Sequence, residues 1–263
     1  MTRSTQRLAP LARSTIFQGQ APARRVLITG ASRGLGLELA RQCLALGDKV
    51  FAGARSPEQS EGLFDLGQAH GASLTLVKLD ITEPRSIDAA MGQIAAASMG
   101  LDLLINNAGI NAMSRDMGDP ARYIRLGALE AEALTEVFRV NAVGPLIVTQ
   151  SARALLKMGA TPKVINITSW QGSLLQNSRG GNYAYAASKT ALNMISRTLA
   201  FDLAEDDIIV AAINPGWVRT DMGGPNAPLT PQQAIEGILR VVDGLKAEDS
   251  GCFLQWDGTA HPW

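Results

Sequence analysis

From Arg25 onward, short apolar and β-branched runs alternate with stretches of helical periodicity, and this alternation constrains the fold more than any other feature of the chain. It predicts strands at Val26–Thr29, Lys49–Ala54, Leu74–Leu79, Leu101–Ile105, Lys163–Thr168, Ile208–Ile213 and Cys252–Trp256. Between them it predicts helices over Leu35–Leu46 (ended by Gly47), after Pro57, after Pro84, over Glu130–Met158, over Tyr183–Ala204 and over Pro231–Leu245. The polar stretch from Asn111 to Gly127 reads as a long loop. Strands separated by helices form βαβ units, hence a parallel sheet with helices on both faces. Right-handed crossovers then wind it doubly. With no repeat or linker, residues 25–263 read as one α/β domain of the Rossmann type, built on a seven-stranded parallel sheet.

The bulk numbers narrow the function. A formal net charge of zero gives no reason to expect a nucleic acid partner, and no apolar run is long enough to span a membrane. Two cysteines and two histidines, all widely spaced, make neither a disulfide framework nor a metal site, so no metal is expected. A reducing, cytoplasmic location fits. Residues 1–25 carry Arg3, Arg7, Arg13, Arg24 and Arg25 and no acid. A transit peptide has this composition; a disordered basic extension over 1–24, or an early start codon, is the reading favoured here.

The first strand runs into Thr29-Gly30-Ala31-Ser32-Arg33-Gly34-Leu35-Gly36, and a helix follows. Glycines let a backbone approach a diphosphate, and a helix N-terminus offers N–H groups and the positive end of its dipole. The spacing differs from Gly-x-Gly-x-x-Gly, but the position after the first strand points to a dinucleotide. A site for NAD(H) places an acid near the end of the second strand. Here that end reads Gly53-Ala54-Arg55-Ser56, with a cation instead. Arg55 and Arg33 suit a 2′-phosphate, which predicts NADP(H) rather than NAD(H).

Tyr185 and Lys189 stand four residues apart, on one face of a predicted helix. An ammonium beside a phenol lowers its pKa and suits it to proton exchange near neutrality. The same spacing also occurs on solvated faces, so the pair gains weight from its companions.

Those companions carry a resemblance. The glycine loop, Asp80 in Leu79-Asp80-Ile81-Thr82, Asn106-Asn107-Ala108-Gly109, Asn141, Ser169, Tyr185-x3-Lys189 and Pro215-Gly216 follow one another as in the short-chain dehydrogenase/reductases, which the chain resembles over about residues 25–263. The stretches Pro215–Gly224 and Phe253–Thr259 resemble the sniffer and C-factor group of carbonyl reductases. Ser169 precedes Tyr185 by 16 residues, a longer interval than many members have. Ser173 is therefore also available, but Ser169 directly follows the fifth strand, as the family pattern requires.

The resemblance implies reduction of a carbonyl by hydride. Tyr185 would donate the proton, Ser169 would bond the same oxygen, and Lys189 would lower the phenol pKa and hold the nicotinamide ribose. Asn141 would place a water: Pro145 has no N–H, so the carbonyl of residue 141 lacks its usual helical partner. Asp80 and Ile81 would flank the adenine, Asp80 also capping the next helix. Asn107, Ala108 and Gly109 would line the cofactor, and Pro215, Gly216, Val218 and Thr220 would close over it. Trp170, Gln171, Leu174, Trp217 and Met222 are candidates for the substrate pocket, a rather open site suited to small apolar aldehydes, ketones or quinones. The Tyr–Lys spacing is narrower than that of the superfamily's enoyl reductases. Homodimers or homotetramers through the two long helices are an expectation of the same kind. Two alternatives remain: a dinucleotide-binding sensor or signalling protein of the same fold, and a sugar-nucleotide epimerase or dehydratase, whose C-terminal substrate domain is usually larger.

Overall fold

The computed structural model describes residues 23–114 and 117–263. The basic extension expected over 1–24 lies, apart from residues 23 and 24, outside them. Seven parallel strands form one sheet in the order β3-β2-β1-β4-β5-β6-β7. They are β1 (Arg25–Thr29), β2 (Lys49–Ala54), β3 (Leu74–Lys78), β4 (Leu103–Asn106), β5 (Lys163–Ile167), β6 (Ile209–Asn214) and β7 (Cys252–Gln255). The inner strands are mostly apolar because both faces are covered, as in all-parallel sheets. On one face α1 (Gly34–Ala45) packs beside α8 (Pro231–Gly244), the eighth α-helix among the described residues, over Ile28, Leu103 and Ile213. On the other, α3 (Pro84–Ala97), α6 (Gly144–Leu156) and α7 (Tyr183–Asp202) cover Leu27, Leu104 and Val164. The doubly wound single domain expected from the strand–helix alternation is the fold observed.

Local chemistry sets the helix boundaries. In α8, Thr230 and Gln233 form a reciprocal capping box, and Pro231 occupies the first turn, where its missing N–H costs nothing. The helix expected after Pro57 begins as a short 3₁₀ turn, Pro57–Gln59, and then restarts as α2 (Glu61–His70), capped by Ser60 Oγ accepting from Leu63 N at 3.3 Å. Asp80 does not cap α3. Its Oδ1 accepts from Thr82 N at 2.9 Å and Thr82 Oγ1 at 2.7 Å in a local turn, and Glu83 takes the N-cap position.

Two larger differences bear on the site. The helix expected over Glu130–Met158 is three pieces: α5 (Ala131–Phe138), a π-helical turn over Arg139–Val143, and α6. Pro145 cannot donate to residue 141, and the wider turn absorbs that gap. The long loop expected over Asn111–Gly127 contains a short helix, α4 (Ala121–Ile124). It has its own apolar cluster, in which Tyr123 is buried and gives its hydroxyl proton to Met117 O at 2.9 Å. Among the described residues no helix is long and apolar enough to cross a membrane.

Candidate active site

The chain leaves β1 toward β2 on one side and returns to β4 on the other, so a crevice opens at the carboxyl ends of β1 and β4. Asn107 laces its floor. Its Nδ2 donates to Thr29 O at 3.0 Å and Gly30 O at 3.2 Å, while the amides of Asn107 and Ala108 both reach Thr29 Oγ1 at 3.1 Å. A cavity of about 650 Å³ follows this crevice from Arg55, past the glycine loop, to Tyr185 and Lys189.

The glycines divide their work. Gly30 and Gly34 have φ of +68° and +56°, where only glycine is unstrained. Gly36 answers to packing inside the protein: a Cβ there would lie 2.1 Å from Gly30 O and 2.6 Å from Asn107 Nδ2. Helix α1 starts at Arg33 with no side-chain cap and no acid in its first turn. Its first-turn N–H groups therefore meet the cavity uncompensated, a ready anion site. At the far end Arg33 and Arg55 line the wall; Arg33 pairs with Asp221 at 3.5 Å, and both are half or more exposed.

Helix α7 brings Tyr185 and Lys189 together, the ammonium 5.7 Å from the centroid of the phenol ring. Lys189 is buried and donates to Ile167 O at 2.9 Å. Burial pushes its amine down to about 8. Burial also pushes the Tyr185 phenol above its ordinary value, with the Ser169 hydroxyl beside it pulling the other way. Burial outweighs the Ser169 contribution, so the phenol lies above its ordinary range and not below it, where its spacing from Lys189 led one to expect it.

Asn141 is fully buried beneath this pair. Its Oδ1 accepts from Ile110 N at 2.8 Å, and its Nδ2 donates to Ile110 O at 2.8 Å and Ser188 Oγ at 3.0 Å. Ser188 in turn donates to Tyr185 O at 2.8 Å. The amide is thus spent on bracing the π turn against α7 and the loop after β4. Gly109 sits where a Cβ would come 3.3 Å from Asn141 Oδ1 and 3.5 Å from Lys189 Nζ.

Of the residues expected around a cofactor, Gly30, Ser32, Arg33, Gly34, Leu35 and Gly36 line the cavity. So do Arg55, Asp80 and Ile81 on one wall, Asn107, Ala108 and Gly109 on the floor, and Pro215 and Thr220 opposite. Val218 is instead buried in a bridge to Leu229, and Gly216 packs where a Cβ would lie 2.6 Å from Leu229. Of the substrate candidates, Met222 lines the cavity. Trp170, Gln171 and Leu174 lie outside its lining, Gln171 Oε1 accepting from Asn182 Nδ2 at 2.6 Å. Trp217 gives its indole proton to Gly223 O at 2.7 Å and so holds its own loop shut. Ser173 is buried and turned away, donating to Trp263 O at 3.1 Å.

Sequence reasoning missed Met113, Ser114, Glu136, Arg139 and Val140 on the cavity wall. The last three share one helical face at i, i+3 and i+4, a signal within reach; Met113 and Ser114 had none beyond following Gly109.

The family model for short chain dehydrogenases matches residues 24–228. The C-signal of Myxococcus xanthus is 42% identical over 163 residues, 62% of this chain and 93% of that protein. Among solved structures, the carbonyl reductase Sniffer of D. melanogaster superposes with a TM-score of 0.84 at 31% identity, over 92% of this chain and 100% of its own. The NADPH-bound carbonyl reductase from chicken fatty liver gives 0.82 at 34% identity, over 92% and 99%.

Proposed function

The chain belongs to the short-chain dehydrogenase/reductase family, and from that premise we propose that it moves hydride between NADP(H) and a carbonyl or alcohol, most readily reducing small apolar aldehydes, ketones or quinones. The observation that carries this reading is the shared cavity: the uncapped start of α1, the two arginines and the Tyr185–Lys189 pair open onto one space.

The residues fit such a dinucleotide. The first-turn amides of α1 suit a diphosphate, and Arg33 and Arg55 at the end of β2 suit a 2′-phosphate where NAD(H) would want an acid. When bound, a reduced nicotinamide would supply the hydride. The protein's own part is proton and charge management. Tyr185, kept protonated by burial, donates to the oxygen on which negative charge develops, and the Ser169 hydroxyl bonds the same atom. Lys189 keeps its proton at neutral pH, because its amine titrates near 8. One of its donors is committed to Ile167 O, and the others face Tyr185 and the cavity. The Asn141 carbonyl, in the π turn that Pro145 imposes, would hold the water through which the pair regains its proton. We place this activity in the cytoplasm, where Cys43 and Cys252, both free, stay reduced.

The test follows NADPH absorbance with a panel of aldehydes, ketones and quinones. Turnover is expected, and Tyr185→Phe should lose about 10²–10⁴-fold of it. Full turnover in that variant refutes the assignment. Tight NADPH binding with no turnover on any carbonyl moves the chain to the sensor reading.

A further inference from the structure

The chain between Ser169 and Tyr185 is long, and every residue from 174 to 181 is exposed. Such a segment has no core of its own to hold it. Its first half is nonetheless tied in two places. On the α7 side, Asn193 Nδ2 and Thr190 Oγ1 both donate to Gly172 O at 3.1 Å. On the other side stands Trp263, whose carbonyl oxygen accepts from Leu175 N at 2.9 Å and Ser173 Oγ at 3.1 Å. Among the described residues, the Leu175–Trp263 bond is the hydrogen bond that ties 174–181 to a distant part of the chain.

Trp263 is itself seated. Its ring lies 5.3 Å from that of Phe253, centroid to centroid, and the Arg197 guanidinium sits 5.5 Å over it. The preceding residues are stitched to β7 by His261 N donating to Phe253 O at 2.8 Å, with the His261 and Phe253 rings stacked at 4.3 Å. From Trp263 the ties run back to the site. Ser173 N donates to Trp170 O, Gly172 N donates to Ser169 O, and Ser169 Oγ accepts from Gln171 N at 3.2 Å. A short hydrogen-bonded turn over residues 169–173 thus stands between Ser169 and the Trp263 anchor.

We propose that Trp263 is a positioning residue: it clamps the segment after β5 and thereby sets the orientation of the Ser169 hydroxyl beside Tyr185. This rests on the reductase reading for its kinetic consequence but not for the clamp. Trp263→Ala leaves the carbonyl but removes the ring that seats it. It should lower kcat/KM about tenfold, a fraction of the cost of a full 1 Å displacement, with the Kd for NADPH unchanged. Trp263→Phe, which keeps the stacking, should restore most of the loss. Because the effect passes through Ser169, Trp263→Ala should cost almost nothing further in a Ser169→Ala background. An equal loss in both backgrounds overturns the proposal, as does a parallel loss of NADPH binding. Amide exchange of Leu175 and Gln176 reads the clamp without turnover: faster exchange in Trp263→Ala than in Trp263→Phe supports it even if no carbonyl is reduced, and equal exchange sinks it. Should Trp263→Ala fail to fold, Ser173→Ala removes one of the two bonds to Trp263 and must speed exchange of the Leu175 amide; Gln176 is left out of that reading because its own amide donates to Ser173 Oγ at 3.2 Å.

Discussion

Lys189 and Lys163 stand at opposite ends of the parallel sheet and share much. Desolvation pushes both amines down, and each donates to a backbone carbonyl, Ile167 O at 2.9 Å and Val242 O at 2.6 Å. Their neighbours differ. Around Lys163 the carboxylates of Asp243 and Asp249 hold the charge while Arg24 opposes it, beside a small cleft of about 250 Å³. Lys189 has a phenol for a neighbour and the large cavity in front of it. Near Lys163 the ions neutralise one another: Arg24 pairs with Asp48 and Asp243, both at 2.6 Å, and Arg25 with Asp102 at 2.7 Å. Burial alone therefore does not mark an amine as functional. What marks it is a partner that can exchange a proton and a space where a substrate can stand.

Substitution tests the contrast directly. Lys189→Met should lower kcat/KM about a thousandfold, whereas Lys163→Met should leave it unchanged; equal losses would erase the distinction. Next in size, Asp102→Ala should cost about 3 kcal/mol by urea unfolding, because it strands Arg25 and the amides of Arg25 and Ala160, with turnover intact. Burial pushes this carboxyl up, but the Arg25 side chain and those two amides outweigh it and hold it low. Its contribution is present at neutral pH and is lost as pH falls below about 3.9 and through the folded value.

At the crevice end, Arg55→Ala should raise the KM for NADPH about tenfold, the worth of one charge-assisted contact, and leave that for NADH alone. The smallest effect is thermal. The Lys189 pKa is depressed to about 8 in the folded chain, so the buried ammonium costs stability below that pH. The cost fades as pH rises toward about 10.4, where the unfolded lysine also loses its proton. Lys189→Met should thus raise Tm at pH 7 by about 3 °C, the lost bond to Ile167 offsetting part of the gain, and the advantage should shrink above pH 8. A gap that widens with pH would mean the amine is not buried as charge.

The strand order, the glycine loop and the Tyr185–Lys189 pairing were legible because each rests on a short-range period or spacing. The helix over 130–158 misled because an apolar period continues through Asn141, and only Pro145 hints at the π turn. Trp217 looked like a pocket residue by its place after Pro215-Gly216, yet its indole N–H found Gly223 O and turned it away.

By itself the sequence determined a doubly wound sheet with an anion-ready helix start and a phenol one turn from an ammonium. Those features are set by local periodicity, by turn chemistry and by the fixed geometry of the α-helix. Tertiary structure alone decided that the Asn141 amide is consumed by Ile110 and Ser188, 31 and 47 residues away, and that Ser173 answers to Trp263, 90 residues on. Contacts across such distances leave no periodic trace in the chain. They exist only once burial forces each polar group to find whatever partner the packing brings beside it.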